Sequence, residues 1–302
     1  MPVVGWICPG TRARVGWEHF DTCDHGPRKL TAYSPFLARL SAGKMQGDVR
    51  HSTLDITATG VMDCPRRIYL DRTVDYYVDP SRAAAMHRGT ALHGVMAEWL
   101  DPEVWSTESS DPVRHDLRGE LAGVAISALA DAWRRDLTEI VDAKFPKDWS
   151  VKYRPRTGYY AKSDPKNVAY PIQLNIERHL MAQQKWATEA GYDPERVKLV
   201  IWNHGIGAVE GPLALECEHM TVEEIMAARA FDSRLTVADH AALLLQIRAE
   251  DEKIAPGDAE GRERLAAAIP LVGQPMFNAG KCGMCDLKEK CDELVRKFGA
   301  PA

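Results

Sequence analysis

The amino-acid sequence predicts a mixed α/β fold, and three patterns in it point to that class. Apolar residues recur at helical spacing over 81–100. The segment 138–144 alternates in polarity, as a partly buried strand does. Two further apolar runs, 198–204 and 213–219, follow a second helical segment and suggest a pair of strands. This order of helices and strands is typical of a mixed α/β core.

The remaining elements follow from turn and capping residues. A strand over 117–126 precedes the one at 138–144, and 127–136 between them forms either a short helix or a long hairpin excursion. A helix predicted over 173–190 ends at Gly191, because glycine favours helix C-termini.

A later helix is predicted over 221–252. Thr221 and Glu224 form a capping box at its start, in which each side chain satisfies a backbone amide of the other residue. The chain from residue 280 onward is first rich in cysteine and then helical.

Composition narrows the class of protein. Hydrophobic residues make up 45% and charged residues 27% of the 302 residues, which excludes collagen, coiled coil and wholesale disorder. The net charge of -5 by itself argues against a nucleic-acid partner. We expect a turn-rich extension over 1–50 and one domain over 51–302. Since no secretory signal or bilayer-length apolar run is visible, a cytoplasmic, membrane-free protein with reduced thiols is expected.

Three cysteines near the C-terminus have the spacing of a metal site. Cys282, Cys285 and Cys291 lie within ten residues, and thiolates are soft metal ligands. The best candidate for a fourth ligand is Cys64, so that the site would join both ends of the domain. Zinc and an iron–sulfur cluster both fit this spacing. Buried structural cysteines are the alternative.

The triplet Asp142-Ala143-Lys144 places a carboxylate and an amine on one face of the predicted strand. Phosphodiester hydrolysis uses such a pair. The carboxylate holds a divalent cation, and the lysine orients or activates the attacking water and offsets developing charge. Such a triplet is more often a solvated strand edge. His93 on the upstream helix and Gln173 on the downstream helix add weight to the catalytic interpretation.

Six short motifs occur in a fixed order between residues 57 and 291. They are Cys64-Pro-Arg-Arg-Ile-Tyr-Leu, Gly89-x-x-x-His93, Gly119-Glu-Leu-Ala122, Asp142-x-Lys144, Gln173-Leu174 and the C-terminal Cys282-x-x-Cys285 with Cys291. Together they resemble the RecB-like PD-(D/E)xK nucleases that carry an iron–sulfur cluster. That group includes the CRISPR-associated exonucleases and the AddB nuclease domain.

The resemblance implies a restriction-endonuclease-like core, a mixed sheet flanked by helices, with iron–sulfur-clamped termini. It implies a 4Fe–4S cluster on Cys64, Cys282, Cys285 and Cys291. It further implies that His93 and Asp142 are ligands of magnesium or manganese, that Lys144 is the catalytic lysine, and that Gln173 assists at the active site.

One position departs from the family pattern. The family has an aspartate ligand three residues after a glycine, and here Gly119 is followed at that distance by Ala122, which cannot bind a cation. The chain is then either a naturally degenerate DNA-binding relative or a nuclease inactivated by an Asp→Ala change, and we expect the second. A third interpretation is that Glu120 or Asp116 substitutes for the missing ligand.

Cationic and aromatic residues alternate after Lys144. Seven lysines and arginines fall between 144 and 166 against two aspartates. Such a segment can follow phosphates while its aromatic rings stack on unpaired bases. A solvated loop with its aromatic rings in the core is the alternative. The candidate DNA-contacting residues are Lys152, Arg154, Arg156, Tyr159 and Tyr160.

The N-terminal extension contains a second set of metal-ligating residue types. Cys8, His19, Cys23 and His25 could form a small zinc site. The single residue between Cys23 and His25 strains a tetrahedral arrangement, so unliganded residues in a loop-rich arm are the favoured alternative.

Taken together, these features predict a metal-dependent DNA exonuclease acting on single strands or DNA ends. The rivals are a non-catalytic DNA-end-binding or adaptor protein and a zinc protein in which the Asp-x-Lys triplet is incidental. No G-x-x-x-x-G-K-[S/T] phosphate loop is present, so unwinding would need a helicase partner. Recombination and CRISPR-adaptation proteins are the other expected partners.

Overall fold

The computed structural model describes residues 3–24, 54–144, 169–203, 213–229, 235–269, 285 and 287–299. Within these ranges the chain is a mixed α/β protein, which confirms the predicted class. It divides into two compact units. The first comprises Met1–Leu54, Asp63–Thr90 and Leu243–Ala302, and the second comprises Asp55–Met62 and Ala91–Ala242. Residues 3–24, which are part of the predicted N-terminal extension, fall within the first unit.

The elements are numbered in chain order. The strands are β1 (Val3–Ile7), β2 (Arg14–Val15), β3 (Tyr76–Val78), β4 (Trp105–Thr107), β5 (Asp116–Leu121), β6 (Val124–Leu129), β7 (Ala132–Arg134), β8 (Glu139–Lys144), β9 (Lys198–Asn203) and β10 (Leu213–Cys217). The helices are α1 (His19–Thr22), α2 (Pro65–Thr73), α3 (Pro80–Trp99), α4 (Pro112–His115), α5 (Ala169–Met181), α6 (Lys185–Glu189), α7 (Val222–Ala227), α8 (Val237–Asp251), α9 (Ala259–Ala268) and α10 (Lys288–Phe298). None of these described helices combines the length and apolar composition needed to cross a bilayer.

The first unit contains a three-stranded sheet with β1 at its centre. This strand pairs antiparallel with β2 and parallel with β3. Its sequence, Val-Val-Gly-Trp-Ile, is apolar and suited to a buried strand. The chain here was expected to be irregular. The strand forms because β3, which lies about seventy residues later, supplies a parallel partner that no local pattern announces.

Polar side chains of α2 form hydrogen bonds with residues at the C-terminal ends of α8 and α9. Arg66 is fully buried, and its Nε and Nη2 atoms donate to the carbonyl oxygens of Ile269 (3.0 Å) and Ala267 (2.8 Å). Because these carbonyls end α9, the guanidinium also meets the negative end of that helix dipole. Tyr69 donates its hydroxyl to Asp251 at 2.6 Å.

The second unit is organised around a five-stranded sheet in the order β10-β9-β8-β7-β4. Strands β8 and β9 are parallel, and the other neighbours are antiparallel. β8 occupies the middle of the sheet, with Ile140, Val141 and Ala143 fully buried. Helix α5 packs against β8 and β9 and against the separate β5–β6 hairpin. The predicted strands at 138–144, 198–204 and 213–219 are confirmed.

Three predicted elements differ in detail. The segment 117–126 is not a single strand. It contains most of β5, the turn and the start of β6. The helix predicted over 173–190 begins four residues earlier and is divided into α5 and α6. The capping box of Thr221 and Glu224 is confirmed, but its helix ends at Ala227, because Ala228 is extended.

The β5–β6 turn places a strained residue at an exposed position. Leu121 pairs with Val124, so Ala122 and Gly123 form a two-residue loop. Both have positive φ, 48° for Ala122 and 80° for Gly123. Glycine adopts this conformation freely, whereas alanine is disfavoured there by its Cβ atom.

Replacing Ala122 with asparagine is expected to stabilise the second unit. Asparagine followed by glycine is a favoured pair in such turns, so the free energy of unfolding should rise by about 0.5–1 kcal/mol. Urea denaturation measures it. The matched control is Ala125→Asn on β6, where φ is not positive and stability should fall. A loss of stability in the turn variant would contradict the left-handed turn.

Candidate functional site

Polar side chains from four parts of the second unit meet at the C-terminal end of β8. Two come from this strand, two from α5, one from α3 and one from the link between β6 and β7. We refer to these six residues as the β8 cluster: His93, Asp131, Asp142, Lys144, Gln173 and Glu177.

Asp142 is the centre of the β8 cluster. Its side chain is 1% exposed, and its Oδ1 atom accepts a hydrogen bond from Lys144 Nζ at 2.5 Å. Both residues project from the same face of β8, as the two-residue alternation of a strand requires. The ammonium of Lys144 also lies 5.0 Å from the ring centroid of Tyr170 on α5. The lysine is therefore held close to the carboxylate.

Asp131 lies directly opposite Asp142. Ala132 pairs with Val141 in the antiparallel β7–β8 ladder, which places the preceding residue of one strand beside the following residue of the other. The backbone amide of Ala143 donates to Asp131 Oδ2 at 2.7 Å and fixes this carboxylate. Two aspartates thus share one end of the sheet.

Helix α5 contributes an amide and a third carboxylate. Gln173 Nε2 donates to Asp142 Oδ1 at 3.1 Å and to Glu177 Oε1 at 3.0 Å, one helical turn later. Glu177 is fully buried. Among the residues that the structure describes, the second oxygen of each acid, Asp142 Oδ2 and Glu177 Oε2, is buried and accepts no hydrogen bond. Buried carboxylate oxygens in proteins normally have a partner.

His93 lies beside the aspartates. Its Nδ1 atom is 3.5 Å from Asp131 Oδ1. Burial lowers the pKa of His93, and the positive charge of Lys144 lowers it further. The imidazole is therefore neutral at neutral pH, the form in which histidine binds metals. Glu108 is close enough to interact electrostatically with both His93 and Asp131, so it adds another acid to the surroundings.

The β8 cluster holds three carboxyl groups and one ammonium group, so its acids repel one another when ionised. Burial raises the pKa of Asp142 to about 6; attraction by Lys144 opposes this effect, and repulsion by Asp131 adds to it. Burial and repulsion by Asp142 raise the pKa of Glu177 well above its ordinary value. Burial lowers the pKa of Lys144, but attraction by Asp142 and Asp131 outweighs it and raises that pKa. A bound cation would relieve this repulsion.

The donors of the β8 cluster suit a hard divalent cation. Carboxylate oxygens are preferred by magnesium and manganese, and a neutral imidazole is compatible with manganese. The two buried oxygens of Asp142 and Glu177 that lack hydrogen-bond donors, together with the adjacent Asp131 carboxylate, fit a cation of this class.

The structure places Ala122, the predicted lost ligand position, away from the β8 cluster. It lies in the exposed turn at one end of the β5–β6 hairpin, whereas Asp131 follows the opposite end of β6. The six residues of β6 put these ends about 20 Å apart. Asp131 is the carboxylate that the structure places beside Asp142.

The proposed substitutes for Ala122 also lie outside the cluster. The backbone of Glu120 pairs with the side chain of Gln183, and its own side chain is exposed. Asp116 accepts a hydrogen bond from Arg118 at 3.0 Å. The sequence did contain a signal for Asp131, since it is the one charged residue within the otherwise uncharged segment 121–133. Glu177 had a weaker signal, its position one turn after Gln173.

The C-terminal thiols form a second group, in the first unit. Cys64 immediately precedes α2, Cys291 lies on α10, and Cys285 lies shortly before α10. Burial raises the pKa of Cys291 to about 12, and both other thiols add to this increase while Arg66 opposes it. Cys291 thus lies close enough to both other thiols to interact with them electrostatically, although more than two hundred residues separate Cys64 from it. Cys282 lies outside the described residues.

The N-terminal set forms a third group, also in the first unit. Cys8 follows β1, His19 begins α1 and Cys23 ends it. One ligand atom from each lies within 4.8 Å of the others. Burial raises the pKa of Cys8, but hydrogen bonds from Thr11 and Gly10 outweigh that effect and lower it to about 6. The predicted fourth ligand, His25, lies outside the described residues.

The predicted DNA-contacting segment is not described by the structure. Lys152, Arg154, Arg156, Tyr159 and Tyr160 all fall between 145 and 168, outside the described ranges. The prediction for them therefore stays a prediction.

Comparisons with known proteins add little to this geometry. No protein-family model matches the chain, and no curated protein matches it. A search of solved structures finds a likeness to the crystal structure of SSO0001, with 14% sequence identity and a TM-score of 0.42. The match covers 85% of this chain and 94% of that one.

Removing the charge of Asp142 should change how stability depends on pH. A carboxyl whose pKa rises from 3.8 to about 6 on folding lowers stability as pH increases from the unfolded to the folded pKa, and the loss levels off above the folded value. Without divalent cations, the melting temperature should therefore fall between about pH 4 and pH 6 by more in the native protein than in Asp142→Asn.

Thermal scanning at several pH values tests this expectation, with Asp116→Asn as the matched control that keeps the native profile. Manganese should raise the melting temperature of the native protein at neutral pH and have a much smaller effect on Asp142→Asn. Identical pH profiles for all three proteins would contradict the charge balance described above.

Proposed function

We propose that this chain is a metal-dependent nuclease that hydrolyses phosphodiester bonds in DNA. The observation that carries the proposal is the buried Asp142, bonded to Lys144 and Gln173, with Asp131 and His93 beside it. An acid, a lysine and a second acid grouped at one end of a central strand are the residue types this reaction needs. The finer fold is proposed to be the restriction-endonuclease-like core that the sequence motifs resemble.

The β8 cluster assigns distinct tasks to its acids. Asp131, Asp142 and His93 would hold magnesium or manganese, and Glu177 is placed to support the same cation through its buried oxygen. When bound, the metal would lower the pKa of a water molecule and offset charge on the phosphate.

The other two polar residues of the β8 cluster act on Asp142 and the reacting groups. Lys144 remains protonated, so its ammonium can orient the attacking water and stabilise the charge that develops on the phosphate oxygens. Gln173 holds Asp142 Oδ1 and Glu177 Oε1 with one amide group and thereby sets the spacing of the two acids. Both residues thus arrange the site before substrate arrives, which lowers the reorganisation needed during reaction.

DNA is proposed as the substrate, with single strands or ends as the preferred form. This part rests on the family resemblance and on the cationic, aromatic-rich segment that follows Lys144. A helicase, a recombination protein or a CRISPR-adaptation protein would supply opened DNA.

A 4Fe–4S cluster is proposed on Cys64, Cys282, Cys285 and Cys291. The electrostatic interaction of Cys291 with Cys64 and Cys285 supports it, because thiols from two distant segments come within range of one another. Their sulfur atoms are the soft ligands that iron–sulfur clusters require. The iron–sulfur cluster would link α2 to α10 and so have a structural role.

The adaptor alternative loses the observation that favoured it. A non-catalytic protein was suggested by alanine at the supposed ligand position, and Asp131 now takes that role. We therefore expect the chain as it stands to be active.

Cleavage of end-labelled single-stranded DNA tests the proposal. The native chain should cut with manganese or magnesium and not with a chelator. Asp131→Asn, Asp142→Asn and Lys144→Ala should each reduce the rate by about a hundredfold or more, because each removes a group that binds the metal or stabilises the transition state.

Two matched variants serve as controls for the cleavage assay. Asp116→Asn removes an exposed aspartate outside the cluster, and Ala122→Asp adds one in the hairpin turn. Both should cut DNA at nearly the native rate. If the native chain cuts no DNA substrate with either metal, or if Ala122→Asp alone cuts, the proposed active site is wrong.

Iron analysis tests the proposed iron–sulfur cluster. Protein purified without oxygen should contain about four iron atoms per chain and show the broad visible absorbance of an iron–sulfur cluster. Cys291→Ser should lose most of this iron, whereas Cys217→Ser, a buried strand cysteine in the other unit, should retain it. Zinc in place of iron at these thiols would contradict the proposed iron–sulfur cluster.

A further inference from the structure

The N-terminal Cys/His group is built from three short elements of the first unit. Cys8 lies at the end of the central strand β1, and a tight turn follows it, closed by hydrogen bonds between Cys8 and both Arg12 and Ala13. His19 and Cys23 flank α1, a helix of four residues. Both cysteines are buried, at 0% and 1% exposure. The chain thus brings two thiols and an imidazole together within a span of sixteen residues.

The distance between the two sulfur atoms distinguishes the possible states of this group. Cys8 Sγ and Cys23 Sγ are 3.7 Å apart. A disulfide bond requires about 2.0 Å. Two thiolates bound to one tetrahedral zinc ion at about 2.3 Å each are about 3.8 Å apart. The observed separation is too long for a disulfide, and it fits both a hydrogen bond between two thiols and two thiolates bound to one zinc ion.

We propose that Cys8, His19 and Cys23 bind a zinc ion. Two sulfur ligands and one nitrogen ligand are a set that zinc prefers and that magnesium or manganese does not. The site therefore selects a different metal from the oxygen-rich β8 cluster. These three residues would occupy three corners of a tetrahedral zinc site and leave the fourth for one further ligand.

The zinc ion would have a structural task. α1 is too short to be stable by itself, and the side chain of its N-cap residue, Glu18, makes no capping hydrogen bond. Binding both ends of α1 to the end of β1 would fix the helix against the sheet. Trp6 on β1 and Trp17 before α1 already contact edge to face, with ring centroids 4.8 Å apart. The zinc ion would hold the contact between these two rings in place.

Elemental analysis of the untagged full chain, purified under reducing conditions, tests the proposal. The native protein should contain about one zinc ion per chain, and Cys8→Ser and Cys23→Ser should each reduce this to about a tenth or less. Cys217→Ser, the matched cysteine control, should keep its zinc. Cys291→Ser should also keep it, which separates this site from the C-terminal thiols.

A second measurement does not depend on the folding of variants. Cobalt added to the metal-free native protein should give the visible absorption of a tetrahedral ion with thiolate ligands, and zinc should then displace it. Zinc should also protect Cys8 and Cys23 from alkylation, as peptide mass spectrometry would show. The proposal is overturned by a Cys8–Cys23 disulfide in the reduced preparation, by zinc retained in both serine variants, or by native protein that takes up neither metal.

Discussion

The burial of Asp142 in the central strand of a sheet is the constraint on which the second unit depends. A carboxylate removed from water is costly unless hydrogen bonds or opposite charges compensate it. Here Lys144 and Gln173 both engage Oδ1, while Oδ2 accepts no hydrogen bond from the described residues. Strand β8 and helix α5 bring these two partners to Oδ1. The buried Oδ2 atom could be compensated by a cation, which makes the position suitable for one.

The two units separate two kinds of ligand chemistry. The second unit gathers oxygen donors on a sheet end, where Asp131 and Asp142 face each other across β7 and β8. The first unit gathers thiols, at the N-terminal hairpin around Cys8 and at the C-terminal helix around Cys291. Because hard cations prefer oxygen and zinc or iron prefer sulfur, the metals proposed for the two units would differ.

The β5–β6 turn explains why the motif spacing and the structure point to different residues. Counting from Gly119 ends at Ala122, which is in the turn of a hairpin that the polarity pattern had fused into one strand. Asp131 lies beyond the far end of β6, so the whole length of this strand separates the turn from the β8 cluster. A two-residue turn of positive φ is weakly marked when alanine occupies its first position, since asparagine or glycine is the usual signal.

The sequence by itself determined the features that depend on neighbouring residues: the alternation that puts Asp142 and Lys144 on one face, the β9–β10 pair, and the capping box at Thr221. Each rests on interactions within about twenty residues along the chain. Only the tertiary structure decided that Asp131 and Glu177 meet Asp142, and that residues 3–7 form a central strand. Those contacts join segments many residues apart, so they depend on strand register and helix packing, which no local pattern encodes.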